Sequence, residues 1–143
     1  MDCPTPESYV AKFVTSMTDF LVDTDVLIDI SKGHAGAADF VDALTGQIFI
    51  GRISAMELIV GARDKREQMI IERFIGRYQI KELSESIGQV AYQHLQQYAK
   101  SHGLALADAL IAATAMVNDL ALVSRNEKHF RPIKGLKFLK AKY

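Results

Sequence analysis

Phe20-Leu-Val-Asp23-Thr-Asp25-Val-Leu-Ile-Asp29-Ile30 is the stretch from which the rest of the chain is read. Phe20, Leu21 and Val22 make a continuous apolar, β-favouring run, which suits a strand covered on both faces. Asp23 ends that run. Open α/β sheets place their ligand sites at the carboxyl ends of strands, so a charge here is positioned for chemistry rather than for packing. Val26 to Ile30 then continue as the start of a helix.

Outward from this stretch, strands alternate with helical patterns. Gln47 to Ile50 reads as a second short strand, Gln79 to Leu83 as a third, Leu120 to Val123 as a buried fourth and Leu136 to Leu139 as a last. Gly33 and Gly36 interrupt the first helical pattern, and Ala37 to Leu44 resume it. Ser54-Ala-Met-Glu57 opens a long helical pattern that reaches Phe74. Ser84 caps a further helix, which Gly103 stops. An Ala-rich helix follows from Leu106 to Val117, its small side chains allowing close approach to a sheet, and Ser124 to Phe130 read as a loop with a short helical turn. The alternation predicts right-handed βαβ units and one α/β domain with a mostly parallel sheet. Residues 1–17, with Pro4 and Pro6, read as an N-terminal extension of no assigned role, and the domain takes residues 18–143.

A chain of 143 residues suits a single domain. The longest apolar run, Ala109 to Ala113, is far short of a membrane span, and no secretory leader is evident. The one cysteine, Cys3, cannot form an internal disulfide, and a reducing cytoplasm is the expected location. Seventeen basic and seventeen acidic residues balance, so no overall field attracts nucleic acid. The distribution is uneven, however: from Arg125 to Tyr143, seven basic residues face Glu127 alone. Such a tail could track phosphates, but lysines on an exposed edge strand give the same pattern.

Four places put polar chemistry just after a strand or in the first turn of a helix: Asp23, Glu57, Asp108 and the loop from Ser124 to His129. A parallel sheet brings such places to one edge. Carboxylates gathered there repel unless a cation sits among them, and an oxygen-only set suits Mg²⁺ or Mn²⁺. Local readings compete. Ser54 and Glu57 have the spacing of a capping box, as do Ser124 and Glu127. Asp108 also suits the positive end of a helix dipole. Asp25 and Asp29 read as local hydrogen-bonders or solvent-facing acids, with Asp25 also a support for Asp23. His34, His94 and His102 read as surface or core-edge residues. No phosphate-binding glycine loop, nucleophile elbow or HExxH motif occurs.

Leu21 to Asp29, Ile53 to Ala62, Ala107 to Ala115 and Leu122 to Phe130 together resemble the PIN-domain ribonucleases, most closely the VapC-like toxins of type II toxin–antitoxin modules. The resemblance spans residues 19 to 140, with four motifs in register. It implies a three-layer α/β/α sandwich on a roughly five-stranded parallel sheet. It also implies an endoribonuclease using Mg²⁺, or Mn²⁺, that forms homodimers and is neutralised by a VapB-type antitoxin entering the active-site groove. On this resemblance Asp23 and Asp108 match the metal ligands and Glu57 a further catalytic acid, in place of a mere cap. Thr24 and Ser124 match hydroxyls that orient the acids, and Asn126 a polar residue beside them. One position departs: His129 stands before Phe130 where many members carry an acid, which suits Mg²⁺ less well. Arg125, Lys128 and Arg131 are candidates for gripping the RNA backbone. The competing function is a PIN-fold module that binds RNA or protein without catalysis.

Overall fold

The computed structural model describes residues 18–143, so the N-terminal extension and Cys3 lie outside the described residues. Its organising strand is β1 (Asp19–Val22). Successive side chains of a strand point to opposite faces, and here they enter two separate cores: Leu21 one, Phe20 and Val22 the other. All three are fully buried, which is why the sequence runs apolar without alternation.

Around β1 a five-stranded sheet forms in the order β3-β2-β1-β4-β5, built with β2 (Ile48–Gly51), β3 (Gln79–Lys81), β4 (Leu120–Ser124) and β5 (Phe138–Lys140). Every pairing is parallel, with Leu21 opposite both Phe49 and Leu122. On one face lie α1 (Thr24–Ser31), α2 (Ala35–Asp42), α3 (Arg52–Val60) and α4 (Lys65–Ile75). Val26, Leu27, Val41, Leu58 and Phe74 from these helices pack on Phe20, Val22, Ile50 and Val123. The other face is covered by α5 (Glu85–His102) and α6 (Leu106–Val117). There Ile87, Ala91, Ile111 and Ala112 meet Leu21, Phe49 and Leu122. Each large side chain so buried contributes about 1.5–3 kcal/mol. The expected three-layer α/β/α sandwich is therefore present, and among the described residues no helix is long and apolar enough to cross a membrane.

Local signals held at α5, where Ser84 Oγ accepts from Ile87 N at 3.2 Å and Gly103 ends the helix at a φ of 66°. They misled elsewhere. The long pattern from Ser54 to Phe74 is two helices, broken at Gly61 to Asp64, where Asp64 Oδ1 accepts from Glu67 N and starts α4 afresh. Ser54 is no cap: α3 begins two residues earlier, at Arg52, and its cap is Gly51, without a side-chain bond. Ser124 is no cap either, being the last residue of β4, and α7 (Glu127–Phe130) starts after Asn126. His94, read as a core-edge or surface residue, is buried in α5, and burial holds its pKa below the ordinary histidine value.

The basic tail is largely matched by acids. Arg125 pairs with Asp29 at 3.0 Å, Arg131 with Glu127 at 2.9 Å, Lys137 with Asp119 at 2.7 Å and Lys140 with Glu127 at 3.7 Å. Lys140 ends β5, an edge strand, as the solubility reading requires.

Candidate active site

At the carboxyl end of β1 the chain turns directly into α1, and Asp23 caps that helix, its Oδ1 accepting from Thr24 N at 2.8 Å. The neighbouring strand delivers Ser124 to the same point. Its Oγ donates to Asp23 Oδ2 at 2.7 Å and accepts from Asn126 N at 3.0 Å. Ser124 is fully buried and Asp23 5% exposed, so neither is freely hydrated. Asp25, in the first turn of α1, lies 3.4 Å from the same hydroxyl and accepts from Val26 N and Arg125 N. Burial first, then the Asp25 charge and more weakly that of Asp108, push the Asp23 carboxyl up to about 7 against the pull of Ser124 and Thr24. Burial raises Asp25 as well, although hydrogen bonds, one of them shared with Asp23, pull the other way.

Glu57 is brought to this edge by α3. Thr24 Oγ1 lies 2.6 Å from Glu57 Oε1 and 2.9 Å from Ser54 Oγ. A hydroxyl has one proton to give, so Thr24 donates to the carboxylate and accepts from Ser54. The serine–glutamate spacing thus puts both side chains on one face of α3, where they meet Thr24. Asp108 enters from the first turn of α6, whose cap residue Ala105 offers no side-chain bond. Its Oδ2 lies 3.0 Å from His129 Nδ1, and Asn126 Nδ2 lies 2.8 Å from that same nitrogen.

The sequence-predicted residues are therefore linked in three contacts along one edge: Asp23 and Asp25 through Ser124, Glu57 through Thr24, and Asp108 through His129 and Asn126. Among the described residues, no three His, Cys, Asp or Glu side chains stand close enough together to enclose a metal ion. The donor chemistry still fits a hard dication. Such an ion needs one or two carboxylates and keeps its waters, and Asp23 offers buried carboxylate oxygens facing like charges.

The basic candidates divide. The Arg125 guanidinium is engaged by Asp29 and lies 5.2 Å over the Tyr143 ring, while Tyr143 Oη donates to Asp29 Oδ2 at 2.7 Å. It is the Arg125 backbone N–H that serves the site. Arg131 is paired with Glu127, whereas Lys128 is exposed and forms no ion pair among the described residues. Sequence reading missed Ser54 and the Asp29–Arg125–Tyr143 cluster. The first has the spacing of a cap, and the second joins residues 114 positions apart. Glu57 also lines a groove of ≈ 790 Å³ with Ile28, Leu58, Ile70, Ile71 and Phe74.

Comparison with known proteins places this edge in context. The PIN domain family model matches residues 20–136. A Mycobacterium tuberculosis protein named Ribonuclease VapC10 is 36% identical over 120 residues, covering 82% of this chain and 90% of that one. A toxin–antitoxin complex from Klebsiella pneumoniae contains a chain 30% identical, with a TM-score of 0.72, covering 85% of this chain and 97% of that one. A chain of the DNA-bound VapBC structure from Salmonella typhimurium shares the fold at 24% identity, with a TM-score of 0.77, covering 88% of this chain and all of that one.

Proposed function

The chain belongs to the PIN-domain family, and on that premise we propose that it is a divalent-cation-dependent endoribonuclease, the toxin of a toxin–antitoxin pair. The observation that carries the cation dependence is Asp23, a buried acid raised to about 7 by burial and by the charges of Asp25 and Asp108. A relative named as a ribonuclease and a structural neighbour solved as a toxin–antitoxin complex support the activity and the partner.

Asp23 and Asp108 would hold Mg²⁺ or Mn²⁺. When bound, the ion supplies charge neutralisation at the scissile phosphate and a lowered pKa for an attacking water. The protein supplies the positions. Ser124 and the Thr24 amide fix both oxygens of Asp23. Thr24 fixes Oε1 of Glu57, leaving Oε2 to accept the proton of the attacking water. Asn126 and His129 steady Asp108, Asp25 supports Asp23 through Ser124, and Lys128 is the exposed cation nearest to these residues in sequence that can meet the RNA backbone. Cleavage leaves a 5′-phosphate and a 3′-hydroxyl, as the resemblance implies. The groove beside Glu57, where Ile28 (37% exposed) and Ile70 (55% exposed) lie with the charged Lys32, Arg63 and Glu67, suits an amphipathic VapB-type antitoxin segment. A homodimer and a cytoplasmic location complete the proposal.

The test is cleavage of structured RNAs with and without EDTA, by the wild type and by Asp23→Asn and Asp108→Asn. Both variants and the EDTA-treated protein should be inactive while retaining wild-type circular dichroism. Cleavage undiminished in both variants would refute the assignment. Inactivity of the wild type, with no cation-dependent shift in melting temperature, would leave the non-catalytic binding module.

A further inference from the structure

Resting on the nuclease reading just given, we infer that Tyr143 is a positioning residue of the active site, and that Arg125 is the strut through which it acts rather than a grip on RNA. The segment after β5 leads back over the strand that carries Ser124: Ala141, itself buried, donates its N–H to the Ser124 carbonyl at 2.8 Å. Two residues on, Tyr143 Oη and Arg125 Nη1 both reach Asp29 Oδ2, at 2.7 and 3.0 Å. The three groups agree in their demands. A guanidinium only donates and an ionised carboxylate only accepts, so one oxygen takes both bonds and the tyrosine hydroxyl gives its proton. The Tyr143 bond first, and then Arg125 in spite of partial burial, hold the Asp29 pKa below its ordinary value, which keeps the acid ionised for both donors.

The tyrosine has a built seat. Its ring stands edge-on to His34, with 5.0 Å between centroids, lies 6.3 Å from Phe40, and carries the Arg125 guanidinium 5.2 Å from its centre. Gly36 makes the room, since a Cβ there would lie 3.2 Å from Tyr143 Cβ and 3.1 Å from His34 Cε1. What the strut holds is the turn after β4. The Arg125 N–H donates to Asp25 Oδ2 at 3.2 Å, and the next N–H, that of Asn126, donates to Ser124 Oγ at 3.0 Å. Ser124 in turn holds Asp23. With its side chain fastened to α1 and to the Tyr143 ring, Arg125 keeps these donors aimed at the carboxylates. The Arg125–Asp29 pair is neutral as a whole, so it offers RNA little release of counterions.

The experiment pairs amide hydrogen exchange of the full chain with cleavage of a structured RNA in Mg²⁺ at several salt concentrations. It compares wild type, Tyr143→Phe, Tyr143→Ala, Arg125→Ala and the double alanine variant. Tyr143→Ala should speed exchange at the Arg125 and Asn126 amides about tenfold while leaving those of β1 and β4 unchanged. It should also lower kcat about tenfold, with KM and the salt dependence of RNA binding unchanged. Tyr143→Phe, which keeps the ring and loses only the hydroxyl, should fall between it and wild type. The double variant should be no slower than Arg125→Ala, because both changes release the same turn. A higher KM in Arg125→Ala, with the salt slope reduced by about one, would make Arg125 a phosphate grip and overturn the inference. Wild-type exchange and kcat in Tyr143→Ala would overturn it too, as would exchange accelerated throughout the chain, which marks a residue of general stability. Absence of cleavage by the wild type would overturn the nuclease reading, while exchange accelerated only at Arg125 and Asn126 would still support the clamp on the turn.

Discussion

Two charged regions of this chain meet opposite fates on folding. The seven basic residues from Arg125 to Tyr143 all remain exposed, and Arg125, Arg131, Lys137 and Lys140 find carboxylates. Asp23 and Asp25 are instead pressed together under Ser124, with no side-chain cation opposite Asp23 among the described residues, and burial raises both. In the sequence the first region is the conspicuous one and the second is three acids in seven residues. Folding reverses their importance. Charge that finds a counter-charge in water contributes little beyond solubility, whereas charge buried without one is costly unless a ligand relieves it.

The contrast can be broken most sharply at the acids. Asp23→Asn and Asp108→Asn should each lower RNA cleavage roughly a thousandfold or more, measured under single-turnover conditions. Next comes stability against pH. The folded-state pKa of Asp23 lies above the unfolded one, so the folded protein binds the extra proton between about pH 4 and pH 7. Metal-free protein should therefore lose stability as pH rises through that window, by on the order of 2–4 kcal/mol in urea titrations. Asp23→Asn should flatten the slope, and a slope of opposite sign in the wild type would contradict the geometry. Thr24→Val, which frees Glu57 with almost no change in shape, should cost about 10–100-fold in kcat with KM little changed. Smallest of all, Lys137→Ala and Arg131→Ala should each change stability by less than about 1 kcal/mol, an effect that 0.5 M salt erases. Lys128→Ala should leave stability alone but reduce the salt dependence of RNA binding by about one counterion.

Much of the fold was legible because burial on both faces forces a continuous apolar run, as in Phe20 to Val22 and Leu120 to Val123. The Ala-rich helix from Leu106 to Val117 was readable from side-chain size to its ends. The break at Gly61 to Asp64 was not, since apolar spacing continues across it and only the Asp64 cap marks the restart. The site was legible as a set of acids at strand and helix ends, and the resemblance pointed to Thr24 and Ser124 as the hydroxyls beside them, but Ser54, which meets Thr24, read only as a cap. A serine three residues before a glutamate means a cap at a helix start and a shared face within one, and spacing cannot tell these apart. Arg125 shows the same limit: whether it meets phosphate or Asp29 depends on Tyr143 folding back across the sheet edge.

The strand order has a further consequence. From β1 the chain steps outward through β2 to β3, then returns to the middle and steps outward the other way through β4 to β5. The segments leaving β1 and β4 must therefore depart on opposite sides of the sheet, and neither can fill the space between them. That crevice, with Asp23 and Ser124 at its floor, is a product of winding direction rather than of any side chain. Substitutions can change what the crevice holds, but a chain wound in this order cannot close it.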